Sequence, residues 1–267
     1  MLNISRSSYY YKSRSFKRQI QDADTLDAID RILYDFPAYG TRRVTEELKA
    51  QSWRINRKRV QRLMREHSLL RVVKKRFINT TQSEHSLTRY PNVAKDLTVI
   101  NINQLWVSDI TYIRILAGFI YLAIILDVYS RKIIGYALSE NLEDDDLTLA
   151  ALRMAIQTRH PPEGCVHHSD QGVQYASNDY VSLLKEHKFR ISMAAKGNPY
   201  ENAFAETFFK TLKYEEVYLW DYQTIDDVKQ RIPFFILRVY NAKRLHSALD
   251  YMSPEKFESA RNSSCLV

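Results

Sequence analysis

Hydrophobic residues recur at helical spacing through the first quarter of the chain. The pattern over residues 16–36 predicts an amphipathic helix that ends near Pro37. Two shorter helices follow, and Thr41 and Asn56 are suited to cap their starts. The second of these helices has a buried stripe of Val60, Leu63 and Met64.

From residue 105 onward the pattern changes to short apolar runs that alternate with helical segments. The runs LWVSDITYIRI and FIYLAIILDVYSRKIIGYAL predict three strands of an antiparallel meander. Helices near residues 145–158, near 178–187 and from Pro199 alternate with the strands CVHHSD and RISMAA. The order βββαβαβα predicts an α/β fold with a mixed sheet flanked by helices, which is the element order of the ribonuclease H-like fold.

The same pattern divides the chain into four parts. Residues 1–77 form a small all-α module, and residues 78–98 lose periodicity and are rich in Thr, Ser and Asn, as expected of a linker. The α/β core spans residues 99–218, and a helical tail spans 219–267. We expect the tail to contain one long helix over residues 224–249, kinked by Pro233.

Charge is distributed unevenly over the 267 residues. The chain has 39 Lys and Arg against 31 Asp and Glu, a net charge of +8. Residues 1–90 hold 20 basic and 9 acidic residues, a net +11, which leaves 19 and 22 for the rest, a net −3. This asymmetry favours a polyanionic partner, such as double-stranded DNA, for the N-terminal module.

The third predicted helix carries most of the candidate phosphate contacts. They are Arg54, Arg57, Lys58, Arg59, Arg62 and Arg65. With the preceding helix this segment is typical of a helix-turn-helix. The alternative is a basic helical hairpin that only packs on its neighbour.

The cysteines and the lack of long apolar stretches indicate the cellular environment of the protein. Cys165 and Cys265 lack the paired spacing of a structural zinc site and fit a reduced, cytoplasmic environment. No stretch reaches the roughly 18 apolar residues that span a bilayer, and the N-terminus lacks the apolar segment of a signal peptide. We therefore expect a soluble protein without a membrane partner.

Three acidic residues lie where a sheet edge can gather them. Asp109 is inside the apolar first strand, Asp170 ends the strand CVHHSD, and Glu206 lies in the helix that follows Pro199. Buried carboxylates are costly unless they are paired or bound to metal. Mg²⁺ or Mn²⁺ prefers such oxygen ligands, and two ions held by shared carboxylates activate an attacking oxygen and stabilise a leaving one in phosphoryl transfer. We predict that these three residues are the catalytic metal ligands.

Two other acids compete for this role. Asp127 follows the run YLAIIL and precedes Val-Tyr-Ser-Arg-Lys, so we expect it to stabilise a turn. Glu201 occupies the third helical position in a variant of the capping box that begins at Asn198. It lies about 140° around the helix from Glu206, so the two cannot point at one metal.

Several further residues have two interpretations each. Lys210 and Lys213 share a face with Glu206 and either hold DNA phosphates or form an ordinary solvated face. Arg244 and His246 near the end of the tail either contact DNA or brace the core.

Two polar residues are expected to support the metal ligands by hydrogen bonding. His168 points to the same side of its strand as Asp170, and Asn202 precedes the Glu206 helix. Direct ligation by His168 is less consistent with Mg²⁺, which rarely binds imidazole.

Four ordered blocks carry a resemblance to a known family. They are LWVSDITYI, HSDQGVQYAS, KGNPYENAFAETFFKTLKYE and YNAKRLHSALDYMSPEKF, and YGTRRVTEELKAQ with INRKRVQRLMRE extends the similarity towards the N-terminus. The chain resembles the second-reading-frame product of insertion-sequence transposases of the IS3 family, whose catalytic domain is similar to retroviral integrases. The 35 residues between Asp170 and Glu206 match the spacing of that family.

The resemblance implies cleavage of DNA at the ends of the element and strand transfer to target DNA, with Mg²⁺ or Mn²⁺. It implies a homo-oligomer on DNA and a first-frame product that is normally joined by frameshifting. This chain departs from the family where Glu201 replaces an Asp and Asp250 replaces a Gly. A nuclease of the same fold that cuts without joining, and a non-catalytic DNA-binding regulator, are the alternative functions.

Overall fold

The computed structural model describes residues 14–70, 89–116, 118–142, 145–194, 202–220 and 222–264. The chain divides into two compact units, Met1–Arg76 and Phe77–Val267. In the described ranges, no helix is long and apolar enough to cross a membrane.

The N-terminal unit has three helices, α1 (Arg14–Asp35), α2 (Thr41–Ala50) and α3 (Arg57–Glu66). Asn56 caps α3 as predicted, because its Oδ1 accepts the backbone N–H of Arg59 at 2.9 Å. The expected cap at Thr41 is wrong: Gly40 is the cap residue of α2, with no side-chain cap bond. The buried stripe of α3 is confirmed, with Val60, Leu63 and Met64 packed among Ile29, Val44 and Leu48.

The second unit contains a mixed five-stranded sheet. Its strands are β1 (Leu105–Ile115), β2 (Gly118–Asp127), β3 (Ile133–Ser139), β4 (Val166–Ser169) and β5 (Arg190–Met193). Their order across the sheet is β3-β2-β1-β4-β5. The pairs β1–β2 and β2–β3 are antiparallel, and β1–β4 and β4–β5 are parallel. The predicted meander and mixed sheet are confirmed.

Helices cover both faces of this sheet. They are α4 (Asp145–Arg159), the short α5 (Val173–Ala176), α6 (Asn178–Glu186), α7 (Ala203–Leu212), α8 (Ile225–Phe234) and α9 (Pro254–Ser264). The helix α7 continues as a π-helix over Lys213–Val217, and α8 continues as one over Phe235–Asn241.

Strand alternation creates two apolar cores. On one face, Val107 of β1 packs with Phe208 and Leu212 of α7 and with Ile232 of α8. On the other face, Trp106 belongs to a cluster formed with Leu152 of α4 and Tyr180 of α6. Successive side chains of a strand point to opposite faces, so each odd residue of β1 faces α7. This alternation puts Asp109 on the α7 side.

Asp127 stabilises the β2–β3 turn, as predicted from its sequence context. Its fully buried carboxylate accepts the backbone N–H groups of Asn103 at 2.7 Å and of Tyr129 and Ser130 at 3.0 Å. Burial raises the pKa of Asp127, although these N–H donors act in the opposite direction. The carboxylate oxygens are therefore occupied by hydrogen bonds that stabilise the turn.

Part of the predicted linker packs on the α/β unit. Residues 78–88 lie outside the described residues, but the N–H groups of Val93 and Ala94 donate to Ser192 Oγ of β5 at 3.0 and 3.2 Å. Leu97 and Val99 pack against the core that faces α7. The second half of the segment is part of the α/β unit.

The tail differs from the single long helix that we expected. Pro233 lies inside the α8 helix, and the π-helix that follows it ends at Asn241. The Asn241 side chain leaves the helical surface to pair with the backbone of Ile133, accepting its N–H at 3.0 Å and donating to its carbonyl at 2.9 Å. The helix α9 was not predicted.

Gly135 sets the distance between β3 and α4. A Cβ atom at this position would lie 2.2 Å from the carbonyl oxygen of Ala151 and 2.9 Å from the Cβ of Ala155. We expect Gly135→Ala to lower the free energy of unfolding by about 2–3 kcal/mol, because backbone must move to admit the methyl group. Urea unfolding followed by circular dichroism measures this change, and a variant as stable as the wild type would contradict the packing described.

Candidate active site

Asp109 and Asp170 are aligned by the parallel pairing of β1 and β4. The pairing places Val107 opposite His168. Two residues after this pair, the first strand reaches Asp109 and the chain leaving the second strand reaches Asp170. Both side chains point to the same face, because side chains alternate with a period of two. The sheet therefore brings together two acids that are 61 positions apart in the sequence.

The electrostatics of Asp109 show that the third acid is also near. Asp109 is half-buried, and its Oδ1 accepts the N–H of Ile110 at 2.8 Å. The pKa of Asp109 is raised to about 8, mainly by burial and in addition by the charges of Asp170 and Glu206. The Ile110 N–H and Lys213 act in the opposite direction. Asp109 thus interacts with both of the other predicted ligands.

A tight turn holds the Asp170 carboxylate. Its Oδ1 accepts the N–H of Gly172 at 2.9 Å, and a Cβ atom on Gly172 would lie only 3.0 Å from the same oxygen. Gly172 therefore lets the backbone approach Asp170 closely, just before α5 begins at Val173.

Glu206 is exposed in the first turn of α7. The neighbouring Ala205 and Phe209 are buried against the sheet, which holds the helix in place beneath this side chain. Across the described ranges, no group of three or more His, Cys, Asp or Glu side chains is arranged to hold a metal ion as it stands. The charges of Asp170 and Glu206 act on Asp109, although the three acids do not form a closed site.

Lys213 lies beside these acids. It is half-buried, with its Nζ 4.7 Å from the centre of the Tyr112 ring. Burial lowers the pKa of Lys213, and the charge of Asp109 acts in the opposite direction. Lys210 is exposed on the same helix. The two lysines therefore differ in setting, and their contact with DNA stays a prediction.

His168 is buried behind Asp170, with its Nδ1 2.9 Å from Ser192 Oγ on β5. The adjacent His167 points to the other face, where its Nε2 lies 2.9 Å from the Tyr180 hydroxyl. Burial lowers the pKa of His167 to about 3, so this imidazole is neutral. Asn202 is buried immediately before α7 but does not cap the helix with its side chain.

The sequence pattern did not identify Tyr175 as a residue of the site. It is buried in α5, and burial followed by the charge of Asp109 raises the pKa of its hydroxyl well above the usual value. An aromatic residue five positions after Asp170 in the loop QGVQYAS was the available signal. Tyr175 forms part of the low-dielectric wall around the acids.

The basic residues of α3 fall into two groups. Arg54, Arg57, Lys58 and Arg65 are exposed. In contrast, Arg59 Nε donates to Asp22 Oδ1 of α1 at 2.8 Å, and Arg62 Nη2 donates to Asp22 Oδ2 at 2.5 Å. Arg59 and Arg62 therefore brace α3 against α1 and are less available for DNA phosphates than predicted.

Arg244 lies in the core of this structure rather than on its surface. Its side chain is buried, and its Nε and Nη2 donate to the carboxylate of Glu215 at 2.6 and 2.8 Å. His246 is half-buried with its ring edge-on to Tyr240, at 4.9 Å between centroids. Arg244 follows the alternative that we left open, bracing of the core. The predicted cap formed by Asn198 and Glu201 lies outside the described residues.

Comparison with protein families assigns both units. The chain matches two models described as integrase core domain, over residues 101–199 and 187–254. It also matches an HTH-like domain over residues 19–77.

Similar proteins align over nearly the whole chain. An uncharacterized 31 kDa protein of insertion element IS600 from Shigella sonnei is 36% identical over 261 residues, covering 96% of each chain. Transposase InsF for insertion sequence IS3A from Escherichia coli K12 is 34% identical over 268 residues, covering 97% of this chain and 92% of InsF. The transposase for IS904 from Lactococcus lactis is 36% identical and covers 92% of this chain and 97% of its own.

Among solved structures, the chain is similar in fold to one in the simian T-cell lymphotropic virus intasome in complex with a PP2A regulatory subunit. The TM-score is 0.51 at 15% identity, covering 85% of this chain and 73% of that chain. The relatives, the integrase core and the mixed sheet agree: this chain belongs to the IS3 family of insertion-sequence transposases, DDE-type enzymes with an integrase catalytic core.

Proposed function

We propose that Asp109, Asp170 and Glu206 are the catalytic metal ligands and that the chain cleaves the ends of an insertion sequence and joins them to target DNA. The observation that carries the proposal is the parallel pairing of β1 with β4, which aligns Asp109 with Asp170, and the charge of Glu206 also acts on Asp109. Three carboxylates that repel one another at a partly buried site are stabilised by a divalent cation.

The donor set fits two Mg²⁺ or Mn²⁺ ions. All three candidate ligands are carboxylates, whereas the nearby imidazole of His168 already contacts Ser192. When bound, two such ions activate the attacking oxygen and stabilise the leaving 3′ oxygen.

The chain's own residues supply the remaining functions. Gly172 keeps backbone close to Asp170, so its N–H fixes the orientation of that carboxylate. The buried Tyr175 lies close enough to Asp109 for the charge of Asp109 to act on its hydroxyl. Lys213 places a positive charge beside Asp109, in a position to hold a DNA phosphate against the acids.

The exposed cations of α3 support double-stranded DNA as the partner of the N-terminal unit. Because two ends of an element must be brought together, we propose that the protein acts as a homo-oligomer on DNA. The first-frame product, as a frameshift fusion or a separate chain, would supply further recognition of the ends. The working location is then the bacterial cytoplasm, at the nucleoid.

Removal of any one ligand should abolish the chemistry and spare DNA affinity. We expect Asp109→Asn, Asp170→Asn and Glu206→Gln each to reduce cleavage and joining of labelled end DNA by about a thousandfold or more, because metal stabilisation is worth several kcal/mol. Binding should change by less than about twofold, since affinity comes mainly from phosphate contacts.

Glu186→Gln is the matched control, because Glu186 is an exposed acid on α6, a helix of the opposite face. It should leave both reactions unchanged. Full activity of Glu206→Gln would contradict the ligand assignment, and cleavage without any joined product in the wild type would favour a nuclease.

The acid cluster should also make the metal-free protein sensitive to pH. The pKa of Asp109 is raised from 3.8 to about 8, so the folded chain keeps a proton that the unfolded chain releases. Stability without metal should therefore fall as pH rises from 4 to 8, by about 1–3 kcal/mol after allowance for partial exposure.

Thermal unfolding across this pH range measures the effect. Asp109→Asn should remove most of the dependence, and Mg²⁺ at pH 8 should raise the Tm of the wild type but not that of the variant. A wild-type protein whose stability rises steadily from pH 4 to pH 8, with no response to Mg²⁺, would contradict the proposal.

The exposed cations of α3 should contribute to DNA binding. We expect Lys58→Ala with Arg65→Ala to weaken binding and to reduce the slope of log K against log salt by about two, one for each lost phosphate contact. Filter binding at several salt concentrations measures this slope. Lys49→Ala is the control, because Lys49 is an exposed cation of α2 that pairs with Glu46 at 2.9 Å. Equal effects of the control and the double variant would remove α3 as the DNA contact.

A further inference from the structure

The helix that carries Glu206 packs on the sheet through one apolar stripe. Its stripe of Ala205, Phe208, Phe209 and Leu212 faces the sheet. Each helical residue turns by about 100°, so Phe204 and Glu206 flank this stripe on its two sides. Any rotation of α7 about its axis that moves Phe204 also swings Glu206.

Phe204 is fixed by Arg131. The Arg131 guanidinium lies over the Phe204 ring, with Cζ 4.0 Å from the ring centre. The ring is 37% exposed, so the guanidinium covers a face that would otherwise meet solvent. Arg131 Nη1 is buried with no hydrogen-bond partner in the described part of the chain. Stacking, rather than hydrogen bonding, therefore holds this end of the guanidinium.

Arg131 is itself held rigidly by the β2–β3 turn. Its backbone N–H donates to the carbonyl of Asp127 at 2.8 Å, and its φ of +62° places it in the left-handed region. The buried Asp127 carboxylate fixes the same turn through the N–H groups of Tyr129 and Ser130. A continuous path of contacts thus leads from a buried turn to the first turn of α7.

The start of α7 needs such a restraint. The first four N–H groups of a helix have no partner within the helix, and the side chain of Asn202 does not cap them. Glu206 lies in this first turn. Side-chain contacts of this first turn, such as that between Phe204 and Arg131, therefore contribute to its position.

We propose that Arg131 is a positioning residue for the transposase reaction, which acts through Phe204 to set the rotation of α7 and so the placement of Glu206 beside Asp109 and Asp170. This inference rests on the proposed function of Glu206 as a metal ligand. Arg131 touches neither DNA nor the reacting atoms in this account.

Three variants break or preserve the contact. Arg131→Leu removes the cation, Phe204→Leu removes the ring, and Arg131→Lys keeps a cation that can bind the same ring face. Lys132→Leu is the matched control, because Lys132 lies in the same turn but pairs with Glu255 and Glu258 of α9 at 3.7 and 3.5 Å.

The measurements are kcat and KM for joining of labelled end DNA, the Kd for Mn²⁺, and Tm. We expect Arg131→Leu and Phe204→Leu each to lower kcat and weaken Mn²⁺ binding by about three- to thirtyfold, the range of a partly buried cation–π contact, with KM for DNA unchanged. The double variant should be no worse than either single variant, since both remove one contact. Arg131→Lys should recover part of the loss.

Lys132→Leu should lower Tm while leaving kcat and the Mn²⁺ Kd at wild-type values. The inference is overturned if Arg131→Leu behaves like Lys132→Leu, or if the two losses add in the double variant. Glu206→Gln, measured alongside, distinguishes failure of the ligand assignment from failure of the positioning role of Arg131. An active Glu206→Gln removes the proposed ligand set, whereas an inactive Glu206→Gln beside an unimpaired Arg131→Leu removes only the positioning role.

Discussion

Mutual repulsion among three carboxylates at one edge of the sheet is the constraint on which the rest of the structure depends. Asp109 lies in a partly buried strand and is affected by the charges of Asp170 and Glu206. In a medium of reduced dielectric such an arrangement is unfavourable without a compensating cation. Packing elsewhere must therefore hold the three elements in place against this force.

That packing comes from strand register and from the helix stripe. Parallel pairing of β1 with β4 fixes the two aspartates, and the apolar residues of α7 fix the third acid against the same face. The β2–β3 turn contributes from the far side of α7 through the Arg131–Phe204 contact. Because they repel one another, the three acids do not stabilise the fold without a cation, and functional sites commonly carry such a cost.

Much of this arrangement could be predicted from the sequence because it depends on local patterns. Apolar alternation predicted the strands, and the order of elements predicted the mixed sheet. Isolated acids in apolar surroundings indicated the candidate ligands. Asp127 was separable from them because the polar residues that follow it are typical of a turn. The alignment of Asp109 with Asp170 depends on the parallel pairing of β1 with β4, which the order of elements alone did not specify.

The errors came from contacts between distant segments, which periodicity does not encode. Arg244 is buried because Glu215, 29 residues earlier, offers it a carboxylate, and Arg59 is drawn to Asp22 across 37 residues. The tail helix ends early because Asn241 pairs with the backbone of Ile133. Residues 89–98 pack on the core even though their composition is typical of a linker, since two of their N–H groups find Ser192.

Diffraction at the manganese absorption edge from a crystal soaked in Mn²⁺ tests the central claim most directly. We expect anomalous peaks from Mn²⁺ coordinated by the side-chain oxygens of Asp109, Asp170 and Glu206, with Glu206 drawn towards the two aspartates. Peaks at other residues, or a Glu206 side chain that stays turned to solvent at saturating Mn²⁺, would contradict it.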